Sequence, residues 1–245
     1  MMDKKYWERV APDNDNQIFD VLKNDRKKLI VSQIAAVASK RKTVMDIGCS
    51  VGKWLPLLST SFKKVYAVDI ANKYIALAKE KNAGLRNVEY LRADFSKEGN
   101  TYPVCDAAIC INAILTPSYT KQRTFFKNVS TVIRKGGTLL LVVPSLESVL
   151  LSESVLCRWD YEAGEKKVGT TKHKGNVLQG AVDIDGMPTK HFIREELITT
   201  LALEGFSVRV MQKIEYTWES EFNTPPAWLK APYPWDWLVV AKKKV

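Results

Sequence analysis

Regular patterning begins at Asp25 to Lys40, where Leu29, Ile30, Ile34, Val37 and Ala38 recur at helical spacing and predict a helix with one core-facing stripe. Thr43 to Ile47 is then an almost uninterrupted apolar run, as in a strand buried on both faces. It stops in the small residues Gly48-Cys49-Ser50-Val51-Gly52. An amphipathic segment follows, with Pro56 in its first turn, where the missing proline N–H costs no helical hydrogen bond. The alternation then repeats. Lys64 to Ile70 predicts a second strand, Asn72 to Lys81 a helix stopped at Gly84, Val88 to Arg92 a third strand and Asp106 to Ile114 a fourth. Tyr119 to Ile133 is a helix with Phe125, Phe126, Val129, Val132 and Ile133 as its stripe, and Thr138 to Val143 a fifth strand. Strand and helix alternating over short connections is the pattern of an α/β, doubly wound parallel sheet with helices on both faces.

Residues 145–190 break the pattern. Ser145 to Cys157 predicts a helix, Arg158 to Asn176 a polar loop, and the runs Val177 to Asp183 and Met187 to Phe192 flank Asp185-Gly186, a hairpin turn signal. Arg194 onward reads as a helix closing on Glu204-Gly205-Phe206. Ser207 to Tyr216 and Trp235 to Lys242 are β-rich runs joined by a loop carrying Pro225, Pro226, Pro232 and Pro234. Loops at the carboxyl ends of strands build the site in such sheets, so the insertion after the fifth strand is expected to cover a substrate; a homodimer contact is its alternative role.

A length of 245 residues suits a single α/β domain with an elaboration, large enough to bury a core without disulfides. The four cysteines, Cys49, Cys105, Cys110 and Cys157, form no Cys-x-x-Cys pair, and two histidines are too few to complete a zinc site with them. Reduced thiols, no metal and a cytoplasmic location are therefore expected. No apolar run approaches the roughly 20 residues of a membrane span, and Met1 to Trp7 has no signal-peptide core. Net charge is +10, with 24 Lys/Arg against 14 Asp/Glu in residues 1–150 and 13 against 13 in the remainder. The basic runs Lys27-Lys28, Lys40-Arg41-Lys42 and Lys63-Lys64 are short and flank helices and strands, as solvated faces do. Nucleic-acid binding is thus an alternative that the pattern does not favour.

The turn after the first strand carries the chemistry. Glycine there lets the backbone approach a ligand closely. Asp69, ending the second strand 21 residues after Gly48, is placed to accept hydrogen bonds from ribose hydroxyls. A dinucleotide fingerprint would put its third glycine three residues after the second, with no acid just before the turn. Here the spacing is Asp46-x-Gly48-x-Ser50-x-Gly52, which resembles the first motif of class I S-adenosylmethionine (SAM)-dependent methyltransferases. Ser50 stands where that family usually has glycine. Ala93-Asp94-Phe95 after the third strand, Cys110-Ile111-Asn112 ending the fourth, Arg134-Lys135-Gly136-Gly137 and Glu204-Gly205-Phe206 fall in the family's order, and the resemblance covers roughly residues 40–145 and 190–245.

The resemblance implies a seven-stranded, mostly parallel sheet ending in an antiparallel hairpin, with residues 43–144 and 191–245 as core, 1–42 as an N-terminal helical lid carrying Tyr6 and Trp7, and 145–190 as the substrate cover. It implies SAM as cofactor, with Asp46 near the methionine amino group, Gly48, Cys49, Ser50 and Gly52 forming the turn, and Asp69 and Ile70 at the ribose. Asp94, Phe95, Cys110 and Asn112 would lie around the adenine and the active-site floor. The Asn-Pro-Pro-aromatic or Asp-Pro-Pro-aromatic motif of adenine- and RNA-amino methyltransferases is absent after the fourth strand, where this chain has Ile114-Leu115-Thr116-Pro117, which argues against base N-methylation. Asn223-Thr224-Pro225-Pro226 comes more than 100 positions too late. A small-molecule acceptor is therefore expected, with an RNA or protein acceptor, or SAM binding without catalysis, as alternatives. By pKa, His191 is the candidate general base, where the insertion rejoins the core, with a half-exposed strand histidine as the other reading; His173 is a second candidate. Trp159, Trp218, Trp228, Trp235 and Trp237 cluster late and offer either aromatic walls or core packing.

Overall fold

The structure, a computed structural model, describes residues 4–11, 21–99, 101–165, 175–184 and 186–245. Its strands are β1 (Ser39–Ile47), β2 (Phe62–Asp69), β3 (Val88–Arg92), β4 (Cys105–Ile111), β5 (Ile133–Pro144), β6 (Ala181–Ile184), β7 (Met187–Lys190), β8 (Phe206–Glu215) and β9 (Trp235–Lys243). Its helices are α1 (Lys4–Val10), α2 (Val21–Asn24), α3 (Leu29–Val37), α4 (Leu55–Ser61), α5 (Asn72–Lys81), α6 (Tyr119–Val132), α7 (Leu146–Glu162) and α8 (Arg194–Leu203). Seven strands make one sheet in the order β3-β2-β1-β4-β5-β9-β8, and β6 and β7 form a separate antiparallel hairpin. The first five strands are mutually parallel, while β9 runs antiparallel to both β5 and β8.

Period-two side-chain alternation sorts the strands between two cores. Met45 and Ile47, Leu139 and Leu141, and Trp237 and Val239 face one side with Phe125, Phe126 and Val129 of α6 and Leu197 and Leu201 of α8. Val44, Leu140 and Val142, and Leu238 and Val240 face the other with Ile30 and Ile34 of α3, Leu55 and Leu58 of α4 and Ala78 of α5. Central strands buried on both sides explain the continuous apolar runs.

Two consequences of the topology place the site. The chain winds from β1 outward to β3 and returns to β4 on the other side of β1, so the crevice at the switch point opens above the carboxyl ends of β1 and β4. Antiparallel β9 brings its first residues to that same edge, where Asp236 pairs with Pro144 of β5 and with Ile214 of β8.

Several predicted boundaries shift. β1 begins at Ser39, which pairs with Phe62 before an irregularity in register. The helix after β2 spans Asn72–Lys81 as predicted, but its cap is the buried Asn82 and not Gly84; the Asn82 side chain donates to the carbonyls of Ala78 (3.0 Å) and Gly52 (3.4 Å). Arg158 to Glu162 continue α7 instead of starting a loop, supported by an Arg158–Glu162 ion pair one turn apart (2.8 Å) and by Trp159 packed edge-on against Phe222. Val177–Gln179 is a 3₁₀ turn, ended by Gly180 at φ 68°, so the hairpin strand starts only at Ala181. Asp185 of the hairpin turn lies outside the described residues, as do His173 and Pro12 to Asn16.

Phe126, fully buried where α6 meets the sheet, sets the stability of that face. Phe126→Ala is expected to lower unfolding stability by about 3–5 kcal/mol, measured as a fall in the urea midpoint with an unchanged m-value.

Candidate functional site

A cavity of about 810 Å³ opens over the switch point. Of the residues expected at a cofactor, Asp46, Gly48, Cys49, Ser50, Asp69, Ile70, Asp94, Phe95 and Asn112 line it, as does His191. Gly52 and Cys110 do not. Gly52 lies beneath the turn, where an added Cβ would meet Asn82 Nδ2 at 2.6 Å and Leu55 Cδ1 at 2.7 Å. Cys110 points into the core among β-strand side chains, and burial pushes its thiol up to about 12.

The turn after β1 is pinned to β2, because the Val68 carbonyl accepts from the backbone N–H groups of both Gly48 (2.8 Å) and Cys49 (2.9 Å). Gly48 has φ 77°, and a Cβ there would stand 2.4 Å from Ala113 Cβ, on the loop after β4. Ser50 takes φ 48°, a left-handed conformation that explains why glycine suits this position in the resembled motif. Its N–H donates to Asp69 Oδ2 (2.9 Å), while Asp69 Oδ1 accepts from Ala71 N–H (2.9 Å). Asp69 therefore braces the turn itself, and each oxygen keeps a lone pair for a further donor.

Two buried acids share this corner. Burial, then the neighbouring Asp69 charge, raises the Asp46 carboxyl to about 7. Burial raises Asp69 to about 6 against the opposing backbone hydrogen bonds from Ala71 and Ser50. Asp46 Oδ2 is buried without a hydrogen-bond partner among the described residues. A carboxyl oxygen left so in a cavity wall is an acceptor that a ligand's N–H donor would satisfy.

At the carboxyl end of β3, Asp94 Oδ1 accepts from Ser96 N–H (2.9 Å) and Oγ–H (2.6 Å), so it closes a local turn as well as facing the cavity. Phe95 stacks on Tyr102 at 4.3 Å and packs against Phe125. Above the cleft, α1 contributes Lys4, Lys5, Tyr6, Trp7 and Val10 to the lining. It is held there by Glu8, whose carboxylate accepts from the N–H groups of Asn72 (2.7 Å) and Lys73 (3.1 Å) at the start of α5, and by Trp7 against Tyr74. α3, in contrast, packs into the core.

His191 lines the cavity where the insertion rejoins the core, and the insertion itself supplies Ile184 and Thr189. It is strapped to the sheet by Lys190 N–H to Leu115 O (2.8 Å) and Phe192 N–H to Pro144 O (2.9 Å), and the buried Lys190 ammonium pairs with Glu196 (2.8 Å). His191 Nδ1 lies 3.0 Å from the Thr189 carbonyl. A carbonyl only accepts, so Nδ1 carries the proton in the neutral ring, and Nε2 is its acceptor atom.

Among the lining residues that escaped the sequence reading are Tyr216, Glu221 and Asp236. Tyr216 and Glu221 follow β8 and Asp236 is the second residue of β9, and no motif spacing marks them; an acid opening a β-rich run next to a proline-rich loop was the only signal. The late tryptophans stay off the cavity wall. Trp235 and Trp237 are buried in the core, Trp218 stacks on Phe222, and Trp228 is exposed beneath Arg158.

Residues 44–137 match a family model described as a methyltransferase domain. A comparison with curated proteins finds no match. Among solved structures, the N-methyltransferase NodS from Bradyrhizobium japonicum WM9, in complex with S-adenosyl-L-homocysteine, is 13% identical with a TM-score of 0.63 over 98% of this chain and 97% of its own. Magnesium protoporphyrin IX methyltransferase from Synechocystis PCC 6803, with the same product bound, is 15% identical with a TM-score of 0.63 over 98% of each chain. A SAM-dependent methyltransferase from Methanosarcina mazei is 19% identical with a TM-score of 0.61 over 89% of this chain and 98% of its own. Residues 44–137 thus match a methyltransferase domain, and the likeness to these structures shows that the chain has the class I, Rossmann-like fold of SAM-dependent methyltransferases.

Gly48→Ala is expected to displace the turn and weaken SAM binding at least tenfold in calorimetry, while circular dichroism keeps its helical and strand signal. The acids give a second expectation. Carboxyls raised in the fold bind more protons than they do unfolded, so ligand-free stability should fall as pH rises from about 4, the ordinary carboxylate value, towards about 7. Thermal unfolding across that window checks the sign, and Asp46→Asn should flatten most of the slope.

Proposed function

We propose that this enzyme transfers the SAM methyl group to a small-molecule acceptor, by in-line displacement, in the space between the β1 turn and the β6–β7 hairpin. The observation that carries this is the unpartnered, buried Asp46 oxygen beside a left-handed turn in a cavity large enough for cofactor and acceptor. SAM, when bound, supplies an electrophilic methyl group whose leaving thioether is neutral. The chain's own work is therefore alignment and exclusion of water.

In this reading Asp46 pairs with the methionine amino group, and Asp69 takes the ribose hydroxyls while still bracing Ser50. Asp94 and Phe95 receive the adenine, and Asn112 forms the floor. Residues 145–190 act as the acceptor cover: their hairpin brings Ile184 and Thr189 over the cavity, and the chain that follows adds His191 and is tied to β5 through Phe192. The N-terminal helix closes the opposite rim. Named neighbours include enzymes whose acceptors are small molecules, such as a porphyrin, which favours that class over nucleic acid or protein.

Calorimetry with SAM and NAD tests the reading directly, because only SAM is expected to bind. Asp69→Ala should cost about 2–4 kcal/mol of SAM affinity, since a charged acceptor of two hydrogen bonds is lost. Unchanged affinity would remove Asp69 from the site. Labelled methyl transfer into a metabolite extract, run beside bulk tRNA, separates the acceptor classes.

A further inference from the structure

The β4–β9 side of the cavity carries a polar network built by Asn112, Tyr216 and Asp236. Asn112, at φ 49°, donates from Nδ2 to Asp236 Oδ2 (3.0 Å), and the Tyr216 hydroxyl donates to the same oxygen (2.7 Å). Asp236 and Tyr216 are buried, and all three residues line the cavity. A carboxylate accepts only, so Asn112 must turn its NH₂ towards Asp236 and its Oδ1 away. That Oδ1 is buried with no hydrogen-bond partner among the described residues. Both donors to Asp236 meet Oδ2, which leaves Oδ1 for a donor in the cavity.

The wall thus presents two acceptor oxygens, and the carboxyls of Asp236 and Glu221 both belong to β9 and the segment after β8, whereas the lining lysines, Lys4, Lys5, Lys53, Lys97 and Lys121, come from other elements. A hydroxyl acceptor brings one O–H and no charge. An amino group brings two or more N–H bonds and a positive charge, and so answers both deficits at once.

We propose, on the reading of this cavity as a SAM-dependent methyltransferase site, that the acceptor is a primary or secondary amine and that Asp236 is the catalytic residue that takes its proton. The ammonium gives one proton to Asp236 Oδ1. The nitrogen lone pair so freed forms an N–C bond to the methyl carbon as the C–S bond breaks, with that bond's electron pair left on sulfur. The positive charge ends on the methylated ammonium, and Asp236 releases its proton to water as the product leaves. Burial, reinforced by Glu221, pushes the Asp236 carboxyl above the ordinary carboxylate range against the hydrogen bonds from Asn112 and Tyr216, which suits a group that must hold a proton in passing. Tyr216 and the Asn112 amide are positioning groups that hold Oδ2 and aim Oδ1.

The test titrates benzylamine and benzyl alcohol, matched in size, into protein loaded with S-adenosylhomocysteine. The amine is expected to bind at least tenfold more tightly than the alcohol. Asp236→Asn should abolish that preference while leaving SAM affinity within twofold, which also reports that the variant is folded. Asn112→Gly, compatible with the left-handed backbone, removes the second acceptor oxygen and should reduce the preference severalfold. Equal binding of the two probes, absence of amine binding, or a preference that survives Asp236→Asn overturns the proposal. Failure of the unaltered protein to bind SAM would instead remove the methyltransferase reading, so the two failures are told apart.

Discussion

The site depends on one backbone carbonyl. Val68 O, near the end of β2, accepts the N–H groups of Gly48 and Cys49 together, so the chain leaving β1 must reverse within a few residues and cannot run on as a strand. That reversal requires φ 77° at Gly48 and φ 48° at Ser50, and it presses the turn against Ala113 beyond β4. Asp69, the last residue of the same β2 strand, then accepts the Ser50 N–H. Two successive residues of one neighbouring strand thus hold the turn, which inherits the rigidity of the sheet beneath it.

A second constraint is electrostatic. A chain with a net charge of +10 buries Asp46, Asp69 and Asp236 in the wall of one cavity, each with its carboxyl raised chiefly by burial. Groups kept this way cost stability in the empty protein, and they persist where a ligand relieves them. Asp46 and Asp69 lie on adjacent strands at the switch point, whereas Asp236 reaches the same cavity from the antiparallel strand.

Closure over this space comes from opposite directions. α1 is capped onto α5 through Glu8, and the β6–β7 hairpin is tied to β5 through Phe192 and to the loop after β4 through Lys190. The α7 helix that opens the insertion is anchored in turn: Ser148 Oγ accepts from Trp235 N–H and Glu147 from Trp237 Nε1. These contacts draw both tryptophans into the core and leave the acceptor wall to smaller polar groups.

The sequence by itself determined the α/β alternation, the five parallel strands and the motif turn, because each is written in local terms: apolar runs of strand length, a helical stripe, an acid and glycines at fixed spacing. Asp46, Gly48, Asp69 and Asp94 were legible for that reason. Only the tertiary structure decided that Cys110 and Gly52 face away from the cavity, that Asp69 braces Ser50, and that Asn82 rather than Gly84 ends its helix. It alone brought Tyr216 and Asp236 to Asn112, more than 100 residues away along the chain. The physical reason is strand direction. Because β9 runs antiparallel to β5, its first residues meet the carboxyl ends of the parallel strands, and no periodicity within a single segment records which end of a strand will lie beside which.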